Sequence, residues 1–66
     1  MKNNMRILRA IKNITQAELS DLIQVSRQTI NTIESGKYVP STVLALKMAK
    51  VFDVPVEEIF ELEPED

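Results

Sequence analysis

Five side chains at helical spacing, Arg27, Gln28, Asn31, Thr32 and Ser35, can each donate a hydrogen bond, and none is acidic. On a helix they project together, away from Ile30 and Ile33. A donor face without carboxylates suits a polyanion. Phosphate repels acids, and in the major groove of duplex DNA Arg matches the acceptors of guanine while Gln or Asn matches adenine. Any amphipathic helix has a polar face, so the face alone is a weak signal. Its setting strengthens it: a tight turn before it, Ser26 as a cap, and Gly36, the single glycine of the chain, just after it.

Little other chemistry is on offer. There is no histidine and no cysteine, which removes the usual general base, the thiolate nucleophile and the usual zinc ligands. Glu57 and Glu58 are adjacent, so on a helix they do not face one another and read as a solvated pair. No phosphate-binding glycine loop can be built from one glycine. No enzyme, metal site or cofactor is expected. The apolar runs are too short to span a bilayer and no signal-peptide pattern is present, so the expectation is a soluble, cytoplasmic chain.

The 66 residues carry a net charge of −2, but unevenly. All eight bases and only three acids lie in residues 1–52, a net +5, whereas residues 53–66 hold seven acids and no base, a net −7. The acidic total argues against a nucleic-acid partner, and the asymmetry softens that argument because local field outweighs net charge. The tail itself reads as a solvated end.

These side chains need a scaffold. Asn3 or Asn4 can cap a first helix to about Lys12, with Met5 and Leu8 inward. Thr15 and Glu18 form a T-x-x-E capping box, with Ile14 and Leu19 placed as a hydrophobic staple, and Leu19 and Ile23 share one face. Ser26 caps a third helix from Arg27 to about Ser35. Pro40 and Ser41 open a fourth, to about Phe52, with Leu44, Ala45, Met48, Ala49 and Phe52 at core spacing. Asp53 ends it. Pro55 suits the first turn of a short fifth helix through Phe60, and Phe60 to Glu63 alternates as a short strand would. The fold class is all-α: five helices with short terminal β-strands, one domain over 1–66.

The run T-Q-x-x-L-x-x-x-x-x-V-S-R-Q-T-I-x-x-I-E-x-G-K-Y-x-P-S, followed by L-A-L-K-M-A-K-V-F, resembles the Cro/repressor helix-turn-helix family of transcription factors, in order and over about nine-tenths of the chain. The resemblance, closest to short members carrying this domain alone, implies a regulator of transcription. Such a protein is usually a repressor that binds double-stranded DNA in the major groove as a homodimer on a palindromic operator. It places the helix-turn-helix at about 16–35. Position by position, it implies base reading by Arg27, Gln28 and Thr32 with Asn31 beside them. It implies phosphate contacts from Gln16, Ser26, Ser35, Lys37 and Tyr38, and a structural pair of Arg9 and Glu34. Three positions depart from the family pattern: Gln24 and Asp53 stand where glycine is usual, and Ser20 where alanine is.

Val56, Ile59, Phe60 and Leu62 remain once helices 1 to 4 are packed, so a dimerisation segment is expected at about 54–63. Leu62 and its neighbours would pair with residues 1–4 or with the partner's tail. No small-molecule effector is expected. The alternative is a protein-interaction module, such as an antitoxin or adaptor. Ile7 and Ile11, four residues apart on helix 1, are the best hint of such a partner surface.

Overall fold

The computed structural model describes residues 1–66 as five helices closed by a two-stranded antiparallel sheet. In chain order these are β1 (Lys2–Asn3), α1 (Met5–Lys12), α2 (Gln16–Ile23), α3 (Arg27–Glu34), α4 (Thr42–Phe52), α5 (Val56–Ile59) and β2 (Phe60–Glu61). Three helices start where a hydroxyl satisfies an otherwise orphaned backbone N–H. Thr15 Oγ1 accepts from Glu18 N at 3.0 Å while the Glu18 carboxylate accepts from Thr15 N at 2.9 Å, a complete capping box. Ser26 and Ser41 cap α3 and α4 through the amides of Thr29 and Leu44. At α1 the N-cap position is Asn4, whose side chain makes no cap bond, and the Met5 amide is satisfied by Asn3 Oδ1 at 3.2 Å. Asn4 instead donates to the Glu58 carbonyl.

Three helices end on a side-chain-bearing residue in the left-handed region: Asn13 (φ 56°), Gln24 (φ 62°) and Asp53 (φ 57°). Glycine takes this conformation freely, whereas a Cβ makes it cost roughly 1–2 kcal/mol, less for Asn and Asp. Gln24 is therefore the most strained of the three. After α3 the turn falls to Gly36 at φ 80°, which has no such cost.

Met5, Leu19, Ile23, Ile30, Ile33, Met48, Phe52, Ile59 and Phe60 form one buried cluster. Leu8, Ile14, Leu44, Ala45 and Ala49 pack around it, half-buried. Ser20 is buried and bonds its hydroxyl back to the Ala17 carbonyl at 2.7 Å, so the polar atom introduced there is satisfied within its own helix.

The C-terminal boundaries are tighter than expected. α3 stops at Glu34, with Ser35 as its cap, and Pro55 caps α5 from outside rather than entering its first turn. α5 stops at Ile59, because Phe60 turns extended (φ −120°, ψ 139°) to pair with the N-terminus. The strand is two residues long, not four, with Lys2 opposite Glu61 and Asn3 opposite Phe60. That register also places the Met1 amine 3.0 Å from Glu63 and 3.3 Å from Asp66.

Candidate nucleic-acid interface

The C-terminus of α3 is held from below by two different elements. Asn3, on β1, donates its side-chain amide to the Ile33 and Glu34 carbonyls at 3.1 and 3.4 Å, joining the Gly36 amide on the first and reaching the second at the open helix end. Arg9, on α1, grips the Glu34 carboxylate through Nε at 2.6 Å and Nη2 at 3.1 Å, and donates Nη1 to the Ile14 carbonyl at 3.2 Å. The two-bond fork fixes direction as well as distance. Arg6, one turn before Arg9, brings its Nε to 3.5 Å from the same carboxylate. The Glu34 side chain is wholly buried. Burial alone would raise its pKa. The bonds from Arg9 and Gln16 and the charges of Arg9 and Arg6 outweigh that, and the pKa lies below the ordinary value. Arg9 is correspondingly raised by its bond to Glu34.

α2 and α3 then form an open polar recess of about 450 Å³ lined by Gln16, Arg27, Gln28 and Asn31, with no apolar residue in its wall. Gln16 sits at its centre. Its Nε2 donates to Glu34 Oε1 at 3.1 Å and to Asn31 Oδ1 at 3.3 Å, and its Oε1 faces Arg27 Nε at 3.5 Å. The Gln16 amide expected to grip phosphate is thus engaged inside the protein. Arg27, Gln28 and Asn31 are exposed; Thr32 is half-buried and donates its hydroxyl to the Gln28 carbonyl at 2.8 Å. A smaller recess of about 260 Å³ adjoins, lined by Gln28, Thr29, Thr32 and Tyr38.

Of the residues assigned to phosphate, Ser26 and Ser35 have internal partners. The Ser26 hydroxyl caps α3, and that of Ser35 donates to the Thr32 carbonyl at 3.0 Å. The backbone amide of Ser35 is engaged as well, bonded to the Asn31 carbonyl at 3.0 Å. Lys37 and Tyr38 lie exposed on the turn after α3. The sequence reading missed Thr29 as a wall residue and Arg6 as a second cation on Glu34. Arg6 was recoverable, because it lies three residues from Arg9 and shares its helix side.

Two of the four residues expected at a dimer contact lie inward in the single chain. Ile59 is fully buried and Phe60 is 9% exposed, both within the protein's own core, because the strand pairing folds the tail back onto β1. Of the four residues only Leu62, 78% exposed, and half-buried Val56 remain available. The larger exposed apolar surface lies on α4 and the loop before it: Val39, Val43 and Leu46. Leu46 is the shared wall of two adjoining grooves of about 470 and 510 Å³, the first reaching Val39 and Val56, the second Lys50 and Asp53. No helix is long and apolar enough to cross a membrane.

Residues 5–59 match the family described as helix-turn-helix. Over all 66 residues, and over the full length of each relative, the chain is 50% identical to an uncharacterized HTH-type transcriptional regulator of Methanocaldococcus jannaschii and 46% identical to one of Bacillus subtilis. A third, from Archaeoglobus fulgidus, is 42% identical over the whole chain and 93% of the relative.

Proposed function

The chain belongs to the Cro/repressor-type helix-turn-helix family, and from that premise we propose that it is a DNA-binding transcription regulator, not an enzyme, that represses by occupying a palindromic operator as a homodimer. The observation that carries the DNA assignment is the acid-free recess of Gln16, Arg27, Gln28 and Asn31 on α2 and α3. Arg27, Gln28, Asn31 and Thr32 meet base edges, while Lys37, Tyr38 and the N-terminal ends of α2 and α3 meet phosphate, where free N–H groups and the positive end of the helix dipole favour an anion. Bound in this way over a promoter, the protein excludes other proteins from that duplex.

A palindrome calls for two α3 helices about 34 Å apart, one turn of DNA. The surface best suited to self-association is the α4 face around Leu46, continued by Val39 and Val56. Its rim carries both signs, Lys50 beside Asp53 and Glu57. A two-fold contact sets a surface against itself, so a rim of both signs can be complementary across the axis. The stripe of Ile7 and Ile11 on α1, 62% and 70% exposed, favours a second reading in which this fold holds another protein. Arg6 and Lys12 flank that stripe without an acid on α1, so a two-fold contact there would oppose like charges.

Selection from a random duplex pool, followed by a salt titration of the selected duplex, tests the assignment. A regulator yields a palindromic consensus, with log affinity falling against log salt by about 0.9 per phosphate neutralised. An interaction module yields no consensus.

A further inference from the structure

Resting on the DNA reading above, we propose that Gln16 is a positioning residue that holds the Asn31 oxygen toward the protein and its NH₂ group toward the duplex, so that Asn31 reads guanine instead of the adenine its side-chain type would suggest.

The argument turns on which end of each amide points where. An amide can be reversed without changing its shape, so a lone Asn or Gln in a groove has no fixed polarity. Gln16 is not alone. Its Nε2 lies 3.1 Å from Oε1 of Glu34, and its Oε1 lies 3.5 Å from Nε of Arg27. Ionised Glu34 can only accept and Arg27 can only donate. Reversing Gln16 would set oxygen against carboxylate and N–H against N–H, so both charged neighbours forbid it. The second hydrogen on Nε2 then points to Asn31, 3.3 Å away, and requires the Asn31 oxygen there. What Asn31 turns toward the duplex is its NH₂ group, which has no partner in the protein.

Adenine is recognised by an amide that accepts from N6 and donates to N7 together, and guanine offers N7 and O6, both acceptors. With its oxygen held by Gln16, Asn31 matches guanine. Thymine also offers an acceptor, O4, but its methyl group asks for an apolar contact. The recess has no apolar residue in its wall. Arg27 lines the same recess and can only donate. The step read from this recess is therefore rich in acceptors, and Gln28, whose amide has no side-chain partner, is left to read a base of either polarity.

The test is duplex selection with the unaltered protein, the pairs being assigned by the loss of preference in Arg27→Ala and Asn31→Ala. Guanine is expected at the pair assigned to Asn31. In Gln16→Met, which keeps the length of the side chain and removes its polar end, the guanine-over-adenine ratio at that pair should fall about tenfold, since the Asn31 amide is then free to reverse. A phosphate-gripping Gln16 would instead lower affinity for all duplexes alike and leave the ratio unchanged. Adenine or thymine at the Asn31 pair overturns the proposal whatever the fate of the variant, and so does an unchanged ratio in folded Gln16→Met. Either result leaves the DNA reading standing, provided Arg27→Ala still relaxes the consensus. Absence of any consensus overturns both.

Discussion

Gln28 is the residue on α3 whose side-chain amide makes no bond within the protein while two recesses open beside it. Its truncation to alanine should cost about 1–3 kcal/mol on the selected duplex and relax preference at one or two base pairs, read by competition binding. Lys37→Ala should differ in kind: all duplexes weaken together and the salt slope flattens by about one unit. The pair of Arg9 and Glu34 acts on stability instead. Arg9→Ala leaves a buried carboxylate with only Arg6 and Gln16, and should destabilise by about 3 kcal/mol. Arg9 is itself partly exposed and can turn toward water, so Glu34→Ala should cost less, and the double variant less than the sum of the two. Denaturant melts of the four proteins measure this, and strict additivity would show that the interaction is absent in solution. The pH sign follows from the lowered pKa of Glu34. Its contribution is complete above the unfolded value near 4.5 and is lost as pH falls through the folded value. Acid melts should show that loss in the unaltered protein and a shallower one in Glu34→Gln.

Each helix was legible where its boundary is written in local chemistry. The T-x-x-E box, the serines at 26 and 41 and the glycine at 36 all mark ends that the structure keeps. The C-terminal region was less legible because its geometry is decided by a partner at the other end of the chain, Lys2 against Glu61 and Asn3 against Phe60. That pairing ends α5 early and takes Ile59 and Phe60 inward; the alternation from Phe60 to Glu63 marks a strand but not its two-residue length or its effect on the helix before it. The site shows the same division. Side-chain types and spacing marked Arg27, Gln28 and Asn31, whereas the bonds of Gln16 to Asn31 and Glu34 depend on how α2 crosses α3. At the turn between those two helices, Gln24 holds a left-handed backbone with a side chain. Gln24→Gly should relieve it and stabilise by about 0.5–1 kcal/mol, even with loss of the exposed 3.4 Å bond from Lys47. For a domain of this length that is a rise of several degrees in melting temperature. An unchanged or lower melting temperature would show that the turn is not strained.

At the scale of the whole molecule, a core of nine side chains is a small reserve, and self-association would add to it. Leu46→Glu should convert a micromolar dimer to a monomer in sedimentation velocity, lower operator affinity, and leave the isolated fold intact because the side chain is already 54% exposed. A protein that is monomeric before the substitution would remove the α4 face from consideration. The opposed charges of residues 1–52 and 53–66 carry a kinetic consequence. The molecule measures 32 × 22 × 20 Å. In physiological salt the field of a charge fades over about 8 Å, so an approaching duplex senses whichever part of the surface is nearest and little of what lies beyond it. At roughly 0.01 M salt the same length grows to about 30 Å, and the whole molecule, with its excess of acid, becomes visible at once. For a uniformly basic protein, dilution of salt keeps accelerating encounter with DNA. Here the acceleration should level off as the solution is diluted, so that this acidic protein finds its duplex fastest at an intermediate ionic strength, a maximum that stopped-flow association rates would reveal.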